Sequence, residues 1–177
     1  LPSNAAEKMG VNALDQGNWC SGFRRPAFLM PTDKRYAEIA QLYYKLGEKT
    51  WGDEYDIVLG GGFLRTRSPY NLYAGDVTYG QLSSLFTFDN QITLCAVKGR
   101  DLKHKFFETN HSDYFISYGD YGNSVRNNID LNATYYIVVD NYTADYSYNN
   151  LTIVERYDPN VFARDLLAGY IKKGGLS

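Results

Sequence analysis

Arg65 and Arg67 follow a triple glycine in the stretch Asp56-Ile57-Val58-Leu59-Gly60-Gly61-Gly62-Phe63-Leu64-Arg65-Thr66-Arg67. A guanidinium presents its donors in a planar fork that suits phosphate oxygens and paired hydroxyls. Glycines let the backbone turn with positive φ or pass close to a ligand. Gly60, Gly61, Gly62, Arg65 and Arg67 are therefore candidate ligand-binding residues. The plainer reading is a tight turn after a strand. The spacing lacks the third glycine of a dinucleotide fingerprint, and no Gly-Lys-Ser/Thr follows.

The other reactive side chains carry less. His104 stands between Lys103 and Lys105 on a basic helix face, and His111 lies in a polar loop; both read as solvated. Cys20 and Cys95 are too far apart for a CxxC metal pair. Cys95 alternates with Leu94 and Ala96 in a strand-like run and reads as a buried structural thiol, with a Cys20–Cys95 disulfide left open. No Ser-His-Asp or Cys-His arrangement has a supporting motif. Sequons at Asn110, Asn132, Asn141 and Asn150 read as chance in so Asn-rich a chain.

These residues must be held by a fold of modest size. The 177 residues suit one domain spanning 1–177. Apolar content of 44% and charged content of 21% are those of a globular protein. The 17 Tyr and 9 Phe are an excess, and they suggest contact with sugars, bases or protein partners. A net charge of −2 leaves no basic footprint for a nucleic-acid polymer. No run of apolar residues is long enough to span a membrane. Leu1-Pro2-Ser3-Asn4-Ala5-Ala6 lacks the charged and apolar regions of a signal peptide, and reads as the edge of a mature chain or of a piece cut from a longer one.

Along the chain, residues 1–31 read as irregular. Thr32 or Asp33 supplies an N-cap for a helix ending near Glu48, with Tyr36, Ile39, Ala40, Tyr43 and Leu46 as its buried stripe. Ile57, Val58 and Leu59 form a buried strand. Thr78-Tyr79-Gly80-Gln81 fits a capping box and predicts a helix from Tyr79 to about Leu85. Residues 91–97 alternate as a strand, and a helix runs from Gly99 to about Glu108. Strands are predicted over 114–118, 135–139 and 151–154, with loops over 119–128 and 140–150. Asp158-Pro159 opens the last helix, striped by Phe162, Leu166, Leu167 and Tyr170 and stopped by Gly174. The reading is an α+β single domain with a mixed β-sheet flanked by helices.

With these landmarks in order, the chain resembles the C-terminal, substrate-binding domain of the 5'-nucleotidase / UDP-sugar hydrolase / 2',3'-cyclic-nucleotide phosphodiesterase family of two-domain metallophosphoesterases. That family shows a strand, Asn-Gly-Gly-Gly-Ile-Arg, a Gly-Thr/Asp-Ile-Thr-Tyr/Trp-x-x-Leu helix start, a Pro-Phe-Gly-Asn-like turn, and a strand ending in x-Gly-x-x-Leu. Here the order runs through Val58 to Arg65, Gly75-Asp76-Val77-Thr78-Tyr79-Gly80-Gln81-Leu82, Phe86-Thr87-Phe88-Asp89-Asn90 and Val97-Lys98-Gly99-Arg100-Asp101-Leu102. The similarity is continuous from Asp56 to Glu108 and weaker beyond, through Tyr135 to Ala144 and the final helix.

The resemblance implies that Arg65 contacts substrate and that Phe88 and Tyr142 sandwich a base. Two facing aromatic planes supply roughly 1–3 kcal/mol of stacking per base. Without the resemblance, Phe88 reads as a core plug and Tyr142 as a surface tyrosine. The motif's asparagine falls on Gly60 and its third glycine on Phe63. Its ribose-binding Gly-Gly-Asp-Gly run is replaced by Tyr146-Ser147-Tyr148-Asn149. The expected partners are a nucleoside or nucleotide and an N-terminal metallophosphoesterase domain, with two divalent metals in that domain and none in this chain. The metal motifs Asp-x-His and Gly-Asn-His-Asp/Glu are missing here, so the chain alone is not expected to hydrolyse anything. The resemblance places the parent protein outside the cytoplasm, as an extracellular, cell-surface or periplasmic hydrolase. A second expectation is a non-catalytic module whose Tyr/Asn-rich face binds a glycan or protein partner.

Overall fold

The computed structural model describes residues 34–62, 78–86, 88–108, 115–117 and 119–174. Helix α1 (Lys34–Trp51) precedes strand β1 (Ile57–Gly61), and helix α2 (Tyr79–Leu85) precedes strand β2 (Ile92–Lys98). Helix α3 (Gly99–Leu102) widens into a π-helical turn (Lys103–Phe107). Strand β3 (Phe115–Ser117), helix α4 (Gly119–Asn127) and strand β4 (Thr134–Asp140) follow. Helix α5 (Asn141–Asp145), a 3-10 turn (Ser147–Asn149), strand β5 (Thr152–Arg156) and helix α6 (Ala163–Lys172) complete the described elements.

The strands make one mixed sheet in the order β3-β1-β4-β2-β5. β1 and β4 run parallel, whereas β1–β3, β2–β4 and β2–β5 pair antiparallel. Successive side chains of a strand point to opposite faces, and this chain buries both. Ile92, Leu94 and Val138 face a core shared with Ile39 and Tyr43 of α1, Leu82 of α2 and Leu167 of α6. Cys95, Val97, Ile137 and Val139 face a second core with Leu102, Phe106, Val125 and Ala144. The result is an α+β domain with helices on both sides of the sheet.

Three predicted segments differ from the structure. Residues 119–128, read as a Gly/Asn loop, form α4; buried Val125 and the Arg126 guanidinium 5.2 Å above the Phe107 ring outweigh weak local propensity. Residues 140–150, also read as loop, hold α5 and the 3-10 turn, too short to show helical periodicity. The last helix begins at Ala163, not at Asp158. Asp158 instead closes a turn by accepting from Asn160 and Val161, and Phe162 bridges back to Gln91 before the helix starts. Residues 1–31, Cys20, Phe63, Arg65, Arg67 and His111 lie outside the described residues. Cys95 is a buried free thiol, as its alternation predicts.

α1 lies hard against the strand at Gly60, where a Cβ would stand 2.3 Å from the Tyr44 backbone nitrogen. Gly60→Ala should therefore cost roughly 1–3 kcal/mol, read by urea unfolding. Gly169→Ala, on α6 with open space around it, should stabilise by up to about 1 kcal/mol. Burial raises the Cys95 thiol from 9.0 to about 12. In a Cys20→Ser background, a thiolate-selective reagent at mildly alkaline pH should label Cys95 only after denaturant is added, because the folded thiol stays neutral where the unfolded one ionises.

Candidate functional site

The first wall grows from the capping box of α2. The Thr78 hydroxyl accepts from the Gln81 N–H at 3.2 Å, and the Gln81 side chain accepts from the Thr78 N–H at 3.0 Å. The helix closes at Phe86, whose N–H bonds the Leu82 carbonyl at 2.7 Å and whose ring is 2% exposed. Phe86 is the core plug. Phe88, two residues on, is 61% exposed and open to a ligand.

Arg164 of α6 fixes the segment that carries Phe88. Its Nη1 donates to the Phe88 carbonyl at 3.0 Å and the Phe86 carbonyl at 3.5 Å, and its Nη2 donates to the Asp89 carboxylate. Its Nε donates to the Tyr79 oxygen at 3.2 Å, and Tyr79 in turn donates to Asp165. The bond to Asp165, with a smaller push from partial burial, raises the Tyr79 phenol above the ordinary tyrosine value. One guanidinium thus ties α6 to the start of α2 and to the exit from it. No sequence signal singled it out: an arginine near the start of a terminal helix reads as a solvated charge, and its partners lie far away in the chain.

The second wall is α5. Asp140, fully buried at the end of β4, accepts from the Thr143 N–H at 2.6 Å and caps the helix. An Asp followed three residues on by a helical N–H is the local signal that marks this short helix. The Asn141 N–H donates to the Gln91 carbonyl and its side chain accepts from the Gln91 N–H, both at 2.9 Å. Because Ile92 pairs with Asp140 across the β2–β4 ladder, the residues before β2 and after β4 emerge side by side.

Between the walls lies a pocket of about 350 Å³. Phe88 and Tyr142, the two aromatics singled out in the sequence, both line it. Asp89 and Asn90 stand with the first, and Asn141, Asp145 and Tyr146 with the second. Asp145 pairs with Arg156 at 3.2 Å. None of Gly60, Gly61 and Gly62, expected to contact substrate, is among the lining residues. They are buried at the end of β1. Gly60 makes room for α1, and Gly62 makes room for Asp140, whose Oδ2 would lie 2.4 Å from an added Cβ. Arg65 and Arg67 fall outside the described residues. His104 is exposed and bonds Glu108 at 3.2 Å. Among the described residues no three His, Cys, Asp or Glu side chains gather as a metal site requires. No helix among them is long and apolar enough to cross a membrane.

A solved structure shares this architecture. Over 78% of its length the chain matches 34% of a protein from Staphylococcus aureus assigned as a 5'-nucleotidase and crystallised with alpha-ketoglutarate, with a TM-score of 0.50 and 18% identity. A 5'-nucleotidase precursor from Thermus thermophilus matches over 77% of this chain and 32% of its own, with a TM-score of 0.48 and 15% identity. The fold is that of part of a 5'-nucleotidase. The chain spans about a third of the length of these structures. No family model matches the sequence, and no curated protein does so significantly.

Arg164→Met should lower the unfolding free energy by roughly 1.5–3 kcal/mol, since bonds to a charged donor are lost. Hydrogen exchange at the amides of Asp89 and Asn90 should speed up. Arg164→Lys should recover only part of this, because an ammonium cannot reproduce the fork.

Proposed function

We propose that this domain binds the nucleoside part of a nucleotide substrate within a 5'-nucleotidase-like hydrolase. One observation carries the reading: Phe88 and Tyr142, brought from two distant elements, line one pocket of about 350 Å³. That volume is in the range of small-molecule sites, and two exposed aromatic rings on one pocket suit a planar base. Asn141, whose Oδ1 accepts from the Gln91 N–H, has amide N–H donors beside those rings for base edges and sugar hydroxyls. Asp89 and Asp145, each already paired with an arginine, leave no net charge that would draw a phosphate into this pocket. Phosphate contact falls instead to Arg65, with Arg67 beside it, on the segment that follows β1.

In this reading the hydrolysis belongs to a metallophosphoesterase domain of the parent protein, which holds the two divalent metals, and the parent acts outside the cytoplasm. The nucleotidase fold and the order of motifs along the chain support that assignment.

Titrating the chain with adenosine while following tyrosine fluorescence tests the pocket. Weak saturable binding is expected, lowered about tenfold or more in Phe88→Ala and in Tyr142→Ala, the effect of one lost stacking contact. Affinity unchanged in both variants would remove the nucleoside assignment. With AMP or UDP-glucose and divalent metals, the chain alone should release no phosphate above background. Clear metal-dependent turnover would overturn the division of labour.

A further inference from the structure

The aromatic surface does not stop at the pocket. Tyr146 lies beside Tyr142 with ring centroids 6.3 Å apart and planes within 16° of parallel. Tyr148 stands next, its centroid 6.3 Å from that of Tyr146 and its plane turned by 57°, so the two rings offer separate faces. Each ring is more than half exposed: 63% for Tyr142, 52% for Tyr146 and 67% for Tyr148. Three large adjacent rings left facing water are unusual on a folded surface unless something covers them.

The backbone beneath the rings is tied down. Lys105, projecting from the π-helical turn, donates to the Tyr148 carbonyl and stands 4.1 Å from the centre of its ring. Asn149 donates to the Thr143 carbonyl at 3.0 Å, and Asn150 donates to Asp101 at 3.2 Å while holding a left-handed φ of 55°. The row is thus preorganised, so a ligand meets rings whose ordering cost has been met in folding.

Charge selects the kind of ligand. Among the described residues, each ionised group beside the row has an opposite partner: Asp89 with Arg164, Asp145 with Arg156, and Lys105 with Asp101. Among them no free charge remains to recognise a phosphate, a carboxylate or an ammonium. Flat apolar faces edged by amides and phenolic hydroxyls instead suit a ring that is apolar on its C–H face and hydroxylated at its rim. We propose that Tyr146 and Tyr148 form an outer subsite that binds a neutral carbohydrate chain, running outward from the Phe88–Tyr142 pocket. Each tyrosine stacks on the C–H face of one sugar ring.

Tyr146 also lines the pocket and Tyr148 does not, so Tyr148 is the ring at which the sugar subsite separates from the nucleoside reading. Isothermal titration of the chain with maltotetraose, cellotetraose and N-acetylchitotetraose, with adenosine in parallel, separates the two. At least one neutral tetrasaccharide should bind saturably. Tyr148→Ala should weaken it about tenfold, the effect of one lost stacking contact, and leave adenosine unchanged. Tyr148→Phe, which keeps the ring, should keep most of the sugar affinity and confirm that the alanine variant fails for want of a stacking face. Failure of all three sugars, or sugar affinity untouched by Tyr148→Ala, overturns the subsite whatever adenosine does. Loss of adenosine binding alone would sink only the nucleoside assignment.

Discussion

The site depends on a buried carboxylate at the end of the central strand. Asp140 is fully buried, and its hydrogen bond to the Thr143 N–H turns β4 into α5 with no intervening loop. A buried polar group is tolerated only where other polar groups receive it, and the end of β1 leaves the Asp140 side chain room because residue 62 has no side chain. Any larger residue there would collide with the carboxylate. The glycine run therefore contributes to the site indirectly. It allows the acid that aims Tyr142.

From that point the geometry follows. β4 sits between β1 and β2, so whatever leaves its C-terminal end emerges beside the start of β2. The pair of hydrogen bonds between Asn141 and Gln91 locks the two chain segments together. Arg164 supplies the corresponding constraint on the opposite wall by gripping two carbonyls and the Asp89 side chain. The pocket is thus built from two strand ends and one distant guanidinium, with its aromatic rings mounted on backbone that hydrogen bonds hold in place. Such rigid mounting is what recognition by stacking requires, since a ring that must first be ordered gives up part of its binding energy.

Several elements were legible in the chain itself. The capping box at Thr78 and Gln81 is a local chemical signal, and the helix it predicts, Tyr79 to Leu85, is the one observed. The pattern through residues 91–97 marks β2, and the continuous apolar run near Ile137 marks β4, as expected where both faces of the sheet are buried. Helix α4 was illegible for the converse reason. Its glycines and asparagines argue against a helix, and only the burial of Val125 against a core assembled from distant strands reverses that preference. The start of α6 was misplaced because proline at position 159 serves a turn as readily as a helix. The bridge from Phe162 to Gln91, invisible in the local sequence, decides between them.

The sequence by itself determined the mixed α+β class and the sites of the strong strands. These follow from short-range periodicity and capping chemistry, which are written within a few residues of one another, whereas Phe88 and Tyr142 were marked out only by the family resemblance. Only the tertiary structure decided what surrounds those aromatics. It set Phe86 in the core and Phe88 in the open, gave the glycines a packing role, and brought Arg164 to the Phe88 segment and Lys105 to Tyr148. The physical reason is that strand register and helix docking set which distant residues become neighbours. A guanidinium or a ring acquires its role from those neighbours, and the chain order does not name them.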